Sequence, residues 1–260
     1  MAVDRRPLIA GNWKMNLDHL QAIAFTQKLA WTLRDARHDY ATTEVALFPP
    51  FTDLRSMQNL IEGDKFDLAY GGQDLSAHDA GAFTGEISGG FLRSLGSSYV
   101  LIGHSERRQY HNETDDVVRA KVAAALRNDL TPIICVGETE ADLAQYGPSA
   151  VPVSQLRAAL DGLTPAEIVV AYEPVWAIGT GKAASEDQAQ LVCATLRATI
   201  TEFWGLDSGD ATRIIYGGSV QSSNISSLMR QPDVDGALVG GASLDVTAFS
   251  SICRFLKHAV

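Results

Sequence analysis

The chain is short of cysteine, of basic relative to acidic residues, and of long apolar runs, and each shortage removes a class of protein. Its three cysteines, Cys135, Cys193 and Cys253, are an odd number without a Cys-x-x-Cys pair, which argues against a disulfide framework and a structural zinc site. They read as buried thiols. Lys and Arg total 21 against 31 Asp and Glu, a formal net charge of -10 at pH 7. Such a chain is a poor nonspecific binder of nucleic acid, although a locally positive pocket can still attract an anionic metabolite. No stretch approaches the roughly 20 apolar residues of a membrane span, and the amino terminus lacks the apolar core of a secretory signal. A cytoplasmic protein is expected, with neither nucleic acid nor membrane as partner. No Pro/Ser-rich or single-sign run interrupts the 260 residues, so 1–260 reads as one domain, of a length that suits an α/β barrel of about 250 residues.

What is present is an alternation of short apolar runs with longer amphipathic stretches, the pattern of parallel strands joined by crossover helices. Eight pairs are expected, with strands near Leu8-Asn12, Val45-Phe48, Asp67-Gly71, Tyr99-Gly103, Ile133-Val136, Ile168-Tyr172, Arg213-Tyr216 and Ala237-Val239. Asp18 with Gln21, and Ser185 with Gln188, have capping-box spacing ahead of helical runs. Periodicity alone does not close a barrel, because an open doubly wound sheet shows the same alternation.

The most informative stretch is Ala171-Tyr172-Glu173-Pro174-Val175-Trp176-Ala177-Ile178-Gly179-Thr180-Gly181-Lys182. The run Ile168 to Tyr172 is apolar at successive positions, as in a strand buried on both faces, so Glu173 falls where that strand leaves the core. Desolvation there is expected to raise its pKa and strengthen it as a base. Pro174 stiffens one end of the following loop, while Gly179 and Gly181 free the other, which makes a hinged cover. A strand-end Glu is also commonly solvated or structurally paired. The loop is not a P-loop, since Trp176 stands where Gly is required and Ala183 where Ser or Thr is required. As a dinucleotide fingerprint it is weak, with no tight strand-to-helix turn before it.

Other candidates carry similar ambiguity. Asn12 and Lys14, two apart, would project to the same side of an extended strand end and meet one ligand together; the ordinary alternative for Lys14 is a solvated surface lysine. His104 ends an apolar run, and Ser105-Glu106 after it starts a helical turn whose amides are expected to lower the imidazole pKa and keep it neutral. The glycines of Tyr216-Gly217-Gly218-Ser219 and Gly240-Gly241 permit close backbone approach to a phosphate, or simply make tight turns.

Seven blocks in order turn these candidates into a pattern: Gly11-Asn12-Trp13-Lys14-Met15-Asn16, Gly81-Ala82-Phe83-Thr84-Gly85-Glu86, Gly103-His104-Ser105-Glu106-Arg107-Arg108, Cys135-Val136-Gly137-Glu138-Thr139, the lid segment, Tyr216-Gly217-Gly218-Ser219-Val220, and Asp235 to Leu244. On these, spread over nearly the whole chain, the sequence resembles the triosephosphate isomerases. The resemblance implies a single (β/α)8 TIM barrel and the interconversion of dihydroxyacetone phosphate and glyceraldehyde 3-phosphate through an enediolate, a step of glycolysis and gluconeogenesis. It implies no cofactor and no metal. By the same resemblance Glu173 is the base, His104 the electrophile, Lys14 and Asn12 substrate ligands, and Gly179, Ser219, Gly240 and Gly241 the phosphate grip. Glu106 matches an acid that positions Lys14, with Ser105 beside it.

The segment from Gln73 to Glu86 is too weakly apolar to form its own core; it is either a mobile surface loop or, by resemblance, the part that inserts into a second subunit of a homodimer. Thr84 would then reach the partner's Asn12 region, with Met15 near the contact. Two departures stand out. Asp74 occupies a position where many members carry Asn, which would alter the pH dependence of the interface. Between Glu140 and Val153 the usual charged helix start gives way to Gln145-Tyr146-Gly147-Pro148-Ser149, a reshaped surface turn. Two other classes remain open at this point: a different barrel enzyme acting on a phosphorylated sugar, and a binding protein with vestigial catalytic groups.

Overall fold

The computed structural model describes residues 5–179 and 183–257. Eight parallel strands, β1 (Leu8–Asn12), β2 (Glu44–Phe48), β3 (Ala69–Gly72), β4 (Tyr99–Ile102), β5 (Thr131–Val136), β6 (Val169–Tyr172), β7 (Arg213–Tyr216) and β8 (Gly236–Val239), pair in sequence order and close on themselves. The closing pair is β1 with β8, Leu8 opposite Gly236 and Gly11 opposite Val239. Gly236 is required there: it sits at φ +153°, and a Cβ would lie 2.0 Å from the Leu8 carbonyl oxygen.

The strands read as unbroken apolar runs because both faces are buried. Alternate residues divide between two cores. Leu8, Ala10, Phe48, Tyr99, Leu101, Ile133, Cys135 and Ile215 fill the barrel interior, whereas Ile9, Val45, Val100, Ile134, Val170 and Ile214 pack outward against the helices. At the amino-terminal end of the barrel, the Tyr99 hydroxyl donates to Glu44 Oε1 at 2.9 Å, and Arg213 reaches Glu44 at 2.6 Å and the Tyr99 oxygen at 2.8 Å. Side chains from β2, β4 and β7 meet across the lumen, which an open sheet would not allow.

The expected strands all form, with shifts of one or two residues. Asp67 and Leu68 precede β3, Glu44 joins β2, and β4 stops at Ile102 because Gly103 turns out at φ +68°. The Asp18 capping box is present around the helix His19–Asp35, and Ser185 caps Glu186–Trp204 through the Gln188 amide. The segment after β5 is more regular than expected. Thr139 and Asp142 form a capping box for a helix over Glu140–Tyr146, so a charged helix start is kept, and the turn is confined to 147–149 before the helix Ala150–Leu160. Among the described residues, no helix is long and apolar enough to cross a membrane.

Candidate active site

The carboxyl ends of β1, β4, β6, β7 and β8 open into one cleft of about 460 Å³, lined by Asn12, Lys14, His104, Glu173, Gly179, Ser219, Gly240 and Gly241 among others. All eight residues expected at a substrate site therefore converge. Loops at the carboxyl ends of barrel strands are where such a fold presents chemistry.

Asn12 and Lys14 do not meet by strand alternation. Asn12 ends β1, and Lys14 lies beyond it at φ +54°, a left-handed conformation that costs a non-glycine residue about 1–3 kcal/mol. Asn12 Oδ1 accepts the Lys14 amide at 3.0 Å. On the other side, Gln73 Nε2 donates to the Lys14 carbonyl at 2.7 Å and to the Phe48 carbonyl at 2.9 Å. Lys14 Nζ then reaches Glu106 Oε1 at 2.5 Å. Glu106 and Lys14 also line an adjoining recess with Met15 and Gln73.

His104 is the N-cap of the short helix Ser105–Tyr110, and its Nδ1 accepts the Glu106 amide at 3.2 Å. Its Nε2 lies 3.0 Å from Glu173 Oε1. Glu173 is 2 % exposed, and its Oε2 accepts the Ser105 amide at 2.9 Å. These contacts reverse two expectations. Burial raises the Glu173 carboxyl, as anticipated, but His104 and the Ser105 amide outweigh it and the pKa is lowered. Burial likewise lowers the His104 imidazole, yet Glu173 more than offsets it and the pKa is raised rather than depressed. With the Glu106 amide donating to it, Nδ1 is the acceptor nitrogen of the ring, and Nε2 is the one that faces Glu173. The upward push belongs to the state in which Glu173 rests against the ring.

Five glycines, Gly179, Gly217, Gly218, Gly240 and Gly241, share the lining of this cleft. Gly240 and Gly241 lead into the 3-10 turn Gly241–Leu244, and a Cβ at Gly241 or Gly179 would meet nothing within 4 Å. Gly217 is different: a Cβ would come 2.9 Å from Glu173 Cγ, so glycine there leaves room for the base. Thr180, Gly181 and Lys182 of the lid lie outside the described residues. The lid's two bases are anchored by residues to which the sequence assigned no role. Glu138 Oε1 accepts from the Trp176 indole at 2.8 Å and the Tyr172 hydroxyl at 3.0 Å, and the Tyr216 hydroxyl accepts the Ala184 amide at 3.1 Å. Glu138 and Tyr216 stood inside recognised blocks, but Gln73 carried no signal of its own beyond residue type.

A family model described as triosephosphate isomerase matches residues 7–256. This chain belongs to the triosephosphate isomerase family. A triosephosphate isomerase of Leifsonia xyli subsp. xyli is 62% identical over 257 residues, covering 98% of this chain and 99% of its own length. Triosephosphate isomerases of Streptomyces avermitilis and Mycobacterium tuberculosis are 56% and 53% identical, each alignment covering 96% of this chain and 98% or 96% of the relative.

Two features of this family member bear on assembly. Met15, beside the site, is 95% exposed, and Thr84 is exposed on the loop that follows β3. The loop is closed at its base, where Ser76 N donates to Ile87 O at 2.8 Å, and stiffened by a stack of His78 on Phe83 with centroids 3.8 Å apart. Asp74 is buried at that base, with Lys121 Nζ 2.6 Å and Arg107 2.8 Å away and Glu113 sharing both cations.

Proposed function

We propose that this chain is a triosephosphate isomerase, interconverting dihydroxyacetone phosphate and D-glyceraldehyde 3-phosphate through an enediolate. The observation that carries this reading is the meeting of Asn12, Lys14, His104 and Glu173 in one cleft that Gly179, Ser219, Gly240 and Gly241 also line. A phosphate on the main-chain amides of Gly179, Ser219, Gly240 and Gly241 would leave the carbonyl end of a triose facing the acid–base pair. Main-chain N–H groups hold a dianion without an arginine fork, and Lys14 supplies charge locally in an acidic chain.

Glu173 removes the proton from the carbon next to the carbonyl and returns it to the neighbouring carbon, so the redox change is internal to the substrate. To do so the carboxylate must leave His104 and Ser105 and turn toward the substrate. That exchange frees His104 Nε2–H to donate to the substrate oxygens and move a proton between them. Lys14 and Asn12 stabilise the negative charge developing on those oxygens, the kind of preorganised electrostatic contribution that removal of one donor shows to be worth about 3–4 kcal/mol. Closure of Pro174 to Lys182 excludes water and opposes loss of phosphate from the intermediate. Neither a cofactor nor a metal is assigned a part.

The working unit on this reading is a cytoplasmic homodimer, with Thr84 of one copy entering the Asn12 region of the other and Met15 covered by that contact. The exposed Met15 beside the site and the stiffened loop support it.

Conversion of glyceraldehyde 3-phosphate by the purified protein, measured beside Glu173→Gln, tests the reading. Wild-type turnover lost in the variant is the expected result. Inactivity of a folded wild type would point to another substrate or a binding role. Sedimentation of a fully active monomer at assay concentration would contradict the dimer.

A further inference from the structure

Gly137 follows β5 in a block whose glycine the isomerase chemistry leaves without a role. Its neighbours hold the segment that carries the base: the Glu173 amide donates to the Val136 carbonyl at 2.8 Å, and the Val175 amide to the Glu138 carbonyl at 3.1 Å. Between these two bonds, the α-carbon of Gly137 lies directly against the main chain of Glu173. A Cβ on it would stand 1.7 Å from the Glu173 carbonyl oxygen and 2.7 Å from the carbonyl carbon. No side chain fits, so the backbone of the base rests on the backbone of residue 137. In a parallel ladder, alternate residues turn their peptide groups to opposite sides, so Gly137 sends its own N–H away from β6. That N–H is taken by Gln155 Oε1 at 2.8 Å, from the helix Ala150–Leu160 on the outside of the barrel.

We infer that Gln155, remote from the cleft and absent from its lining, is a positioning residue for Glu173, acting through Gly137. The inference rests on the isomerase reading above. The Gln155 amide fixes the Gly137 peptide, and the Gly137 peptide sets how far the Glu173 backbone seats into the barrel. Reaction rates are steep in such placement, since a shift of about 1 Å in a reacting group can cost about a hundredfold. The phosphate-facing loops after β7 and β8 do not pass through this contact. A fault at Gln155 should therefore appear in the chemical step and leave substrate capture nearly intact.

The test uses the full-length protein with Gln155→Leu, which keeps bulk and loses the acceptor, and Gln155→Glu, which keeps an acceptor at the same reach. Steady-state kcat and KM for glyceraldehyde 3-phosphate are measured with a thermal unfolding check. Gln155→Leu is expected to lower kcat about tenfold with KM within about twofold. Gln155→Glu is expected to restore kcat to within about twofold of wild type. Should Gln155→Leu fail to fold, Gln155→Asn, one methylene too short to reach Gly137, carries the same expectation. Unchanged kcat in the folded Leu or Asn variant, a loss confined to KM, or equal loss in the Leu and Glu variants would each overturn the inference. An inactive, folded wild type is a separate result, which removes the isomerase reading and this inference with it.

Discussion

Glu173 Oε1 lies 3.0 Å from His104 Nε2, so the two groups to which the proposed reaction gives separate tasks are bound to each other. The pairing satisfies a buried carboxylate that would otherwise be costly. On the proposed mechanism, a substrate would have to draw one group away from the other.

Glu173→Gln is expected to keep the resting arrangement, since an amide oxygen can still accept from Ser105 N or His104 Nε2. It should lower kcat by at least about 10³-fold, within the range ascribed to a positioned general base, while inorganic phosphate binds within a few-fold of wild type. Calorimetric titration beside a turnover assay separates these outcomes; near-normal kcat would remove Glu173 from the mechanism.

The pH dependence follows from the same pair. Glu173 has a folded pKa below its ordinary value, so the stability it contributes is present above the unfolded pKa and is lost as pH falls through the folded one. Below about pH 5, wild type should therefore lose more stability on further acidification than Glu173→Gln does, as read by thermal midpoints down to about pH 3, whereas between about pH 7 and 5 the raised His104 pKa works in the opposite sense. Parallel curves for the two proteins would contradict the direction of the shift.

Gln73 joins two carbonyls, those of Lys14 and Phe48, through one amide nitrogen. Its replacement by Ala leaves the left-handed turn at Lys14 held from one side only. Gln73→Ala should cost about 1–3 kcal/mol in denaturant unfolding and lower kcat/KM, because the lysine loses its aim. Unchanged kcat/KM would show that Asn12 alone fixes Lys14.

Asp74 provides a prediction of opposite sense to its ion pairs. Burial raises its pKa despite Lys121 and Arg107, so ionising it costs more in the folded than in the unfolded chain, and stability falls as pH rises from the unfolded pKa through the folded one. Asp74→Asn should unfold at an equal or higher temperature near pH 7 and flatten the stability change between about pH 4 and 7. A marked drop in the midpoint at pH 7 would mean that the pairing outweighs the desolvation. The departure at this position thus acts first on the loop's buried base.

Local sequence determined a good deal. Runs such as Val169 to Tyr172 had to be doubly buried strands, Asp18 with Gln21 had to start a helix, and the blocks around Lys14, His104, Glu173 and Ser219 marked the residues that line the cleft. Each of those signals lies within a few residues. Tertiary structure decided what depends on distant partners. The Arg213, Tyr99 and Glu44 cluster that ties together three strands of the barrel has no spacing rule. The pKa of Glu173, raised by its local strand end, is turned downward by an imidazole and an amide brought from β4, the amide 68 residues away. Gln73 finds Lys14 across 59 residues, and Gln155 is an ordinary helical glutamine until the fold sets it against Gly137. A hydrogen bond or a Coulomb interaction is set by distance in space, and that distance exists only once the barrel is closed.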